Sequence, residues 1–568
     1  MKNLKNNLFL ILSVFFSLFA IISLFHPGFF PIHDDEQIAR LFELNYALES
    51  FHFPPRISQN LGFGYGYPFF NFYPSLFYYF AEIFVILGFS FISSTKIAIA
   101  VGFILSAVFM YLFSRKYLGD LGGLVAAMLY TFAPYHSVDV YVRGALAEFS
   151  SFIFIPGLFW AITRISVNQS FGNIALFCLF GAGLVLSHNL VALMTVPFAL
   201  IFFIYLIYKN KNKKDFVFSI LIGGALALFL TSYFWIPAIL ENKYTMVNLL
   251  TKEFANYGLH FVSLHQFLNS PWGYGGSILG PSDGLSLEVG KIHLILVAFS
   301  FILVFVYKFR KEVIDNIYFV FLSLFVLSIF IQSYYSKIIW DSFPPLSYIQ
   351  FPWRFMIFAV FSASFLGGFI FSLKFNEKLK FILATAILIT IVLIYVPLFR
   401  PSSFLVDAKD EDYTSPDFIR WDTSIKAFEY VPWGIATKTS DIGNTVVDIT
   451  RDEIAKETAI PLSGDLKVKT VIDRPQYKKL EVDPDTLGKL QINTFSFPGW
   501  KVFIDGRQIR YNDENKLRLI QADVPKGSKV VEAKFTDTNV RTFSNLLTLF
   551  GILVMAFFVI YKKKKIKI

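Results

Sequence analysis

Long apolar segments recur along the whole chain and constrain its fold more than any other feature. A bilayer core about 30 Å thick needs roughly 20 apolar residues per helix. Segments that meet this requirement lie at 8–25, 96–114, 121–137, 149–165, 172–187, 190–208, 216–238, 292–307, 316–333, 354–373, 380–398 and 543–561. Only 16% of the residues are charged, against about 25% in soluble domains. The pattern excludes a disordered chain, a collagen-like fibre and a simple cytosolic enzyme, and it predicts a polytopic α-helical membrane protein with about 12 transmembrane helices.

Lysine and arginine clusters predict how these segments are oriented, because positive residues favour the cytoplasmic side of a membrane. Counting twelve segments from a cytoplasmic N-terminus places all the dense clusters inside, and both termini with them. These clusters lie at 115–116, 209–214, 308–311, 374–380 and 562–565. A further apolar stretch, Tyr73 to Ile92, would reverse this if it spanned, so we predict an in-plane or re-entrant helix there. The net charge of +10 is then an orientation signal in a plasma-membrane protein, which argues against nucleic-acid binding.

Two boundaries divide the chain into three parts. Residues 1–399 form the predicted multi-span membrane domain, whose first segment resembles a secretory signal but lacks a small-residue cleavage site and is expected to remain as an anchor. Residues 400–541 hold 22 Lys+Arg and 23 Asp+Glu, and alternating runs followed by turn pairs such as Asp505-Gly506 predict an extracytoplasmic, sandwich-like β-rich domain. Residues 542–568 are the predicted final helix and basic cytoplasmic tail.

Three consecutive acids follow the first apolar segment, at the start of the first outer loop (26–95). They are Asp34, Asp35 and Glu36, and His33 precedes them. Adjacent carboxylates repel one another, and a carboxylate at the membrane edge can act as a general base on a hydroxyl or bind a divalent cation such as Mg or Mn. The alternative is a helix start, with Asp34 or Asp35 as the N-cap and Glu36 in the first turn.

Glycine, tyrosine and proline interleave later in the same loop, at 62–68 and 71–74. The glycines are not a dinucleotide fingerprint, because no strand precedes them and Pro68 stops a following helix. Tyr67, Asn71 and Tyr73 are candidates for contact with a sugar or a prenyl chain. Anchoring at the membrane interface, where tyrosine is enriched without any function, explains the tyrosines equally well.

The second outer segment supplies a candidate phosphate ligand, Arg143. A guanidinium binds phosphate with a bidentate fork that lysine cannot reproduce. If this segment is helical, Asp139 is placed to pair with Arg143, so a purely structural ion pair is the alternative. His136 is a candidate proton carrier, and Glu148 follows at the start of the next apolar segment.

Other ionisable groups fall at outer ends of apolar segments, among them His188, Glu288 and Arg354. Such residues are costly at membrane depth and usually face a cavity or a partner, so their concentration predicts an outward-facing site. One cysteine, Cys178, excludes an intramolecular disulfide framework. The sequence has no zinc spacing, P-loop or nucleophile elbow, and we expect no nucleotide cofactor.

Four stretches spread over nearly the whole chain resemble one bacterial membrane family. They are Pro54-Pro55-Arg56 with Gly66-Tyr67-Pro68 and Asn71-Phe72-Tyr73-Pro74; Tyr141-Val142-Arg143-Gly144-Ala145 with Glu148; Gln350-Phe351-Pro352-Trp353-Arg354; and Phe497-Pro498-Gly499-Trp500-Lys501 with Ile504-Asp505-Gly506. They resemble the 6-pyruvoyl-tetrahydropterin synthase-related, YfhO-like proteins, and the early acids resemble those of C-type (GT-C) membrane glycosyltransferases. The pterin name implies no pterin cofactor, because the histidine zinc cluster of such a synthase is absent.

The resemblance to the C-type class implies a sugar donor linked to polyprenyl phosphate and an extracytoplasmic acceptor, which is a lipid, an envelope polymer or a protein. It implies that Asp34 or Asp35 is the general base and that Arg143 and Arg354 hold the donor phosphate. The further candidates are Glu36 as an acid, Arg56 as a phosphate ligand, and His33, Tyr67, Asn71, Tyr73, His136, Asp139, Glu148, His188 and Glu288 for substrate contact. A flippase for a lipid-linked precursor and a non-catalytic envelope scaffold remain open as alternatives.

Overall fold

The computed structural model describes residues 2–250, 253, 255–441 and 444–566. Within these ranges, eight helices are long and apolar enough to cross a membrane. They are Asn7–Phe25, Phe91–Thr131, Leu146–Val167, Asn189–Lys209, Lys291–Phe309, Pro352–Ser372, Glu377–Leu398 and Asn539–Phe558. Two bent helix pairs raise the number to as many as ten. The chain is therefore a polytopic α-helical membrane protein, as its sequence predicts.

The predicted twelve segments and the observed helices differ in three identifiable places. Phe91–Thr131 contains two predicted segments and is interrupted at Gly119, where φ is 73°. Its 41 residues would measure about 60 Å if straight, twice the thickness of a bilayer core, so the break is needed. Segments 216–238 and 316–333 fall on the pairs bent by 71° and 86°, and segment 172–187 is a helix of only 17 residues.

The stretch from Tyr73 to Ile92 contains a helix that is too short to cross a bilayer. Leu76–Ile86 has 11 residues, or about 16 Å of helix. It packs against the helix Gln37–Glu49 and against Phe91–Thr131, which fits the predicted in-plane or re-entrant segment. The remaining shorter helices and turns are Phe69–Phe72, Pro134–Ser137, Val138–Arg143, Phe171–Ser187, Lys213–Leu230, Ser232–Leu240, Val247–Leu250, Ile317–Gln332, Lys337–Ser342, Asp410–Thr414 and Phe418–Thr423.

A β-rich domain precedes the last helix. Its strands are β1 (Thr437–Thr439), β2 (Thr445–Val447), β3 (Ala459–Ser463), β4 (Leu466–Arg474), β5 (Tyr477–Pro484), β6 (Gly488–Phe495), β7 (Trp500–Ile504), β8 (Arg507–Ile509), β9 (Leu519–Val524) and β10 (Val530–Phe535). They form antiparallel sheets in the orders β4-β5-β10-β7-β8 and β3-β6-β9, beside the hairpin β1-β2. Val502 and Val531 of the larger sheet share one core with Ile492 and Ile520 of the smaller, which confirms the sandwich.

The first outer loop docks onto this domain. Phe72 joins the core of the sandwich, and the Phe495 amide donates to the Tyr65 carbonyl at 3.2 Å. The predicted N-terminal boundary of this domain, residue 400, precedes the first strand, β1, which begins at Thr437. Between them lie helical turns that pack with the membrane helices in one large core. The β-rich domain and the first loop are therefore one continuous surface.

Candidate functional site

Backbone hydrogen bonds bring the acidic motif to the second outer segment. The His33 amide donates to the Val142 carbonyl at 3.0 Å, and the Asp34 amide donates to the Arg143 carbonyl at 2.8 Å. Gly144 permits this approach, since it has φ of 68° and an added Cβ would lie 2.5 Å from an Ile32 methyl group. Two regions about 110 residues apart in sequence are therefore held together through their backbones.

Arg143 lies in a buried network of charge. Val138–Arg143 forms a π-helical turn, which places Asp139 and Arg143 side by side as an ion pair. Arg143 Nη2 also donates to Glu148 Oε2 at 3.0 Å, and the guanidinium lies 4.5 Å from the centre of the Trp353 ring. The predicted Asp139–Arg143 pair is present, and an aromatic face holds the cation in place.

Arg354 reaches the same carboxylate from another helix. Its Nε donates to Glu148 Oε2 at 3.2 Å and its Nη1 to the Ile349 carbonyl at 2.7 Å. Within the described chain, nothing accepts a hydrogen bond from Arg143 Nε or Arg354 Nη2. The two guanidiniums thus keep free donors that suit a phosphate group.

His188 and Tyr135 complete this network. The Tyr135 hydroxyl donates to Glu148 Oε1 at 2.5 Å. The His188 ring interacts electrostatically with Glu148 and both arginines, and its Nδ1 accepts from the Val191 amide at 3.2 Å. The Tyr135 hydroxyl therefore helps to fix the Glu148 carboxylate between the two cations.

The three acids have three different environments. Asp35 Oδ2 accepts from Lys426 Nζ at 2.6 Å, and Glu36 is paired with Arg40 at 2.8 Å in a buried position. The Asp34 side chain is half-buried, and no described donor forms a hydrogen bond with its carboxylate. The capping alternative fails, because the helix begins after Glu36 and no side chain caps it.

A cluster of aromatic and charged groups surrounds Glu36. The Arg40 guanidinium lies 4.7 Å from the centre of the Tyr73 ring. Burial raises the pKa of Glu36 to about 7, against the lowering effect of Arg40, and the Asp34 charge raises it further. Burial also raises the pKa of Glu429, whose carboxyl interacts with Arg40 and Asp34. Tyr73 therefore lies beside Arg40 and the acids, and its contact with a substrate stays a prediction.

Glu36 should make the stability of the protein depend on pH. Because its pKa rises on folding from 4.5 to about 7, the folded state binds this proton more tightly, and stability falls as pH rises through that window. In Glu36→Gln this loss is absent, a difference on the order of 3 kcal/mol. We expect the Tm of Glu36→Gln, measured by thermal unfolding in detergent micelles, to fall less than that of the wild type between about pH 5 and pH 8. Parallel Tm profiles for the two proteins would contradict this assignment.

A loop between the helices Ser232–Leu240 and Lys291–Phe309 connects the acids to the arginines. The Tyr274 carbonyl is 2.9 Å from His33 Nε2. Ser277 Oγ accepts from Trp353 Nε1 at 3.2 Å, and the Trp353 ring is the one that faces Arg143. This loop therefore contacts both the acidic motif, through His33, and the ring beside Arg143.

Three predicted site residues belong instead to a separate buried cluster or to packing. Arg56 donates to Asn71 Oδ1 at 3.1 Å and to the Tyr233 carbonyl at 2.7 Å, and Asn71 in turn donates to Glu241. Tyr67 is fully buried and donates to the Ala427 carbonyl at 2.9 Å. The described contacts of these residues include neither Arg143 nor Arg354, and they join the first loop to its neighbours; their contact with a ligand stays a prediction.

Two further candidates lie apart from the charged network. His136 is fully buried, its ring stacked on Phe152 with centroids 3.9 Å apart, and its Nδ1 lies 3.1 Å from the Thr131 carbonyl. Glu288 is buried, and its carboxyl interacts with the charge of Lys291. His136 is therefore a buried side chain packed against an aromatic ring, and its role as a proton carrier stays a prediction.

Sequence reasoning missed Arg40, Lys426 and Glu429. Arg40 had a signal, because it lies four residues after Glu36 on a helical face. Lys426 and Glu429 had none, because they belong to the segment before the β strands. As for a metal, the part of the chain that the structure describes holds no group of three or more His, Cys, Asp or Glu side chains placed to bind one; Mg or Mn binding stays a prediction.

No protein-family model matches this chain. An uncharacterized protein of Lactococcus lactis subsp. cremoris (strain MG1363) is 25% identical over 268 residues, which cover 45% of this chain and 44% of that protein. Among solved structures, the mycobacterial arabinofuranosyltransferase AftD aligns with 70% of this chain and 27% of its own, at 12% identity and a TM-score of 0.41. The chain thus spans less than half of either protein, and its function has to be inferred from the residues of the site.

Proposed function

We propose that this protein is a C-type membrane glycosyltransferase, which moves a sugar from a polyprenyl-phosphate carrier to an extracytoplasmic acceptor. One observation carries the proposal. The Asp34 amide is hydrogen-bonded to the Arg143 carbonyl, no described donor binds the Asp34 carboxylate, and the Arg143 and Arg354 guanidiniums share Glu148. A base and a phosphate-binding cation are the two groups that such a transfer needs.

In the proposed reaction, the acceptor hydroxyl loses its proton to the Asp34 carboxylate as its oxygen attacks the anomeric carbon of the donor sugar. The bond from that carbon to the phosphate oxygen breaks, and polyprenyl phosphate leaves with the bonding electrons. Negative charge grows on that oxygen, where fixed guanidiniums stabilise it most. Glu148 holds both cations in position before the donor arrives, so little reorganisation is needed during the step.

The two other acids have supporting roles in this scheme. The ion pair with Lys426 holds Asp35, and Arg40 holds Glu36. Both links fix the start of the helix Gln37–Glu49, and with it the Asp34 backbone. We therefore assign the base to Asp34, and assign Asp35 and Glu36 to its positioning.

Release of carrier lipid tests the proposal. The protein in nanodiscs is given polyprenyl phosphates bearing a radiolabelled hexose or pentose, together with deproteinised envelope glycans as acceptor. We expect label to pass into the glycan while free polyprenyl phosphate appears in equal amount. Label that stays on the carrier with every donor would refute a transferase that uses this class of donor.

A flippase is the second candidate, because two helix pairs are bent by 71° and 86°, and broken helices are typical of transport proteins. Vesicles that contain the protein and a fluorescent polyprenyl phosphate, without acceptor, separate the two functions. Only the flippase hypothesis expects protein-dependent movement of the lipid between leaflets.

A further inference from the structure

Two cavities lie along the seam between the first outer loop and the β-rich domain, away from the acids and arginines. Their volumes are 480 and 300 Å³, which fall within the range of ligand sites. Tyr65 lines the larger cavity, and Gln59 and Gly64 line the smaller. Both share the wall formed by the segment 455–457 and Asn493. Together they form one cleft, which we call the seam cleft.

Two side-chain amides of the smaller sheet, Gln491 and Asn493, line the wall, and Gln521 supports them without lining either cavity. Gln521 Nε2 donates to Gln491 Oε1 at 3.1 Å, Gln491 Nε2 donates to Asn493 Oδ1 at 3.0 Å, and Asn493 Nδ2 donates to the Glu457 carbonyl at 2.8 Å. Each amide nitrogen in this chain has a second N–H. Such a row of fixed amides suits a ligand with many hydroxyl groups.

Gln59 supplies an acceptor that has no partner. Its Oε1 is buried and accepts no hydrogen bond from the described residues, and the side chain lines the smaller cavity. Buried polar atoms are rarely left unpaired. If the Gln59 side chain turns toward the cavity that it lines, a ligand hydroxyl in the seam cleft satisfies this oxygen.

The charge of the seam cleft is balanced. Its carboxylates are Asp452, Glu453, Glu457 and Asp473, and its cations are Arg420, Lys456, Lys478 and Lys516. Four charges of each sign leave the seam cleft without a net charge that would attract a polyanion or a polycation. The chemistry therefore fits an uncharged polyhydroxyl ligand.

Hydrogen bonds connect the seam cleft to the acidic motif. Glu43 accepts from the Asn60 amide at 3.0 Å and from Asn60 Nδ2 at 2.7 Å, and Arg420 Nη2 donates to Asn60 Oδ1 at 3.0 Å. Glu43 lies on the helix that begins directly after Glu36, about 10 Å further along its axis. The cleft wall and the proposed base are thus held by one rigid element.

We propose that the seam cleft binds an uncharged oligosaccharide, as the part of the acceptor that extends beyond the reacting sugar. The inference rests on the proposed function and makes its acceptor more specific: a glycan chain, rather than a simple lipid or a protein side chain.

Gln59→Met tests the seam cleft, because it removes an amide oxygen that has no partner in the fold. The full-length protein in nanodiscs is titrated with uncharged pentasaccharides of hexoses, 6-deoxyhexoses or N-acetylhexosamines, and with an anionic pentasaccharide of uronic acids. We expect an uncharged pentasaccharide to bind more tightly than the anionic one, and Gln59→Met to weaken it about fivefold. Gln476→Met is the matched control. The side-chain oxygen of Gln476 is also buried and accepts no hydrogen bond from the described residues, and its amide nitrogen donates to the first loop at Ser50, but Gln476 lines neither cavity.

Hydrogen exchange gives a second result that does not depend on a variant. The bound pentasaccharide should protect amides in residues 455–460 and 489–495 of the wild-type protein. The inference is overturned if no uncharged pentasaccharide binds, if protection falls elsewhere, or if the two glutamine variants bind equally well.

Asp34→Asn separates this inference from the proposed function. It should bind the pentasaccharide as the wild type does while losing sugar transfer. Lost transfer without any pentasaccharide binding would refute only the seam cleft. Retained transfer in Asp34→Asn would refute the proposed base, whether or not the pentasaccharide binds.

Discussion

Asp34→Asn is expected to reduce sugar transfer by about 10²–10⁴-fold, the usual contribution of a general base. The substitution keeps the size of the side chain and the backbone hydrogen bond to Arg143, but an amide cannot take the acceptor proton. Because no described donor is bound to the Asp34 carboxylate, the fold should lose little stability. Initial rates at saturating donor, measured by release of polyprenyl phosphate from nanodisc-embedded protein, give the effect directly.

Asp35→Asn is the matched control for this experiment. It also removes one negative charge from the motif, but the lost contact is the ion pair with Lys426, a half-exposed pair that contributes little. We expect its rate to fall by about tenfold or less. An Asp35→Asn variant that is inactive beside an active Asp34→Asn would reverse the assignment of the base.

Removing the phosphate-binding guanidinium should have an effect of similar size. Arg143→Gln alone would leave Asp139 as an unpaired buried charge, at a cost of about 3–5 kcal/mol. The double variant Arg143→Gln with Asp139→Asn removes both charges of the buried pair and should fold. We expect its rate to fall by about 10²–10³-fold, with a higher KM for the polyprenyl-phosphate donor.

Asp139→Asn by itself serves as the control for the double variant, because Arg143 then keeps its contacts with Glu148 and Trp353. Its rate should stay within about tenfold of the wild type. Full transfer by a well-folded double variant would show that Arg143 has only a structural role. That is the alternative raised in the sequence analysis, a purely structural ion pair between Asp139 and Arg143.

Much of the architecture is predictable from sequence, because apolar length and strand alternation are local signals. They indicate the membrane helices and the sandwich before the last helix. The number of membrane spans is harder to predict from sequence, because a break such as that at Gly119 depends on how neighbouring helices pack. The N-terminal boundary of the β-rich domain is hard to predict for a similar reason. The helical turns before Thr437 are as rich in charged residues as the strands, so composition does not separate the two.

The candidate site divides in the same way. Asp139 and Arg143 lie four residues apart, and their pairing can be read from helical spacing. The link from Asp35 to Lys426 joins residues 391 positions apart, which no local pattern indicates. The structural contacts of Arg56 are equally hidden from sequence, because its partners Tyr233 and Asn545 lie 177 and 489 positions away.

Mass spectrometry of envelope glycans tests the central claim most directly. Cells that lack this chain are complemented with the wild type or with Asp34→Asn, at matched levels of membrane-inserted protein. A glycosyltransferase with Asp34 as its base predicts that the variant and the empty vector accumulate the same truncated glycan, one sugar or branch shorter than in the wild type. Identical, complete glycans in all three strains would contradict it.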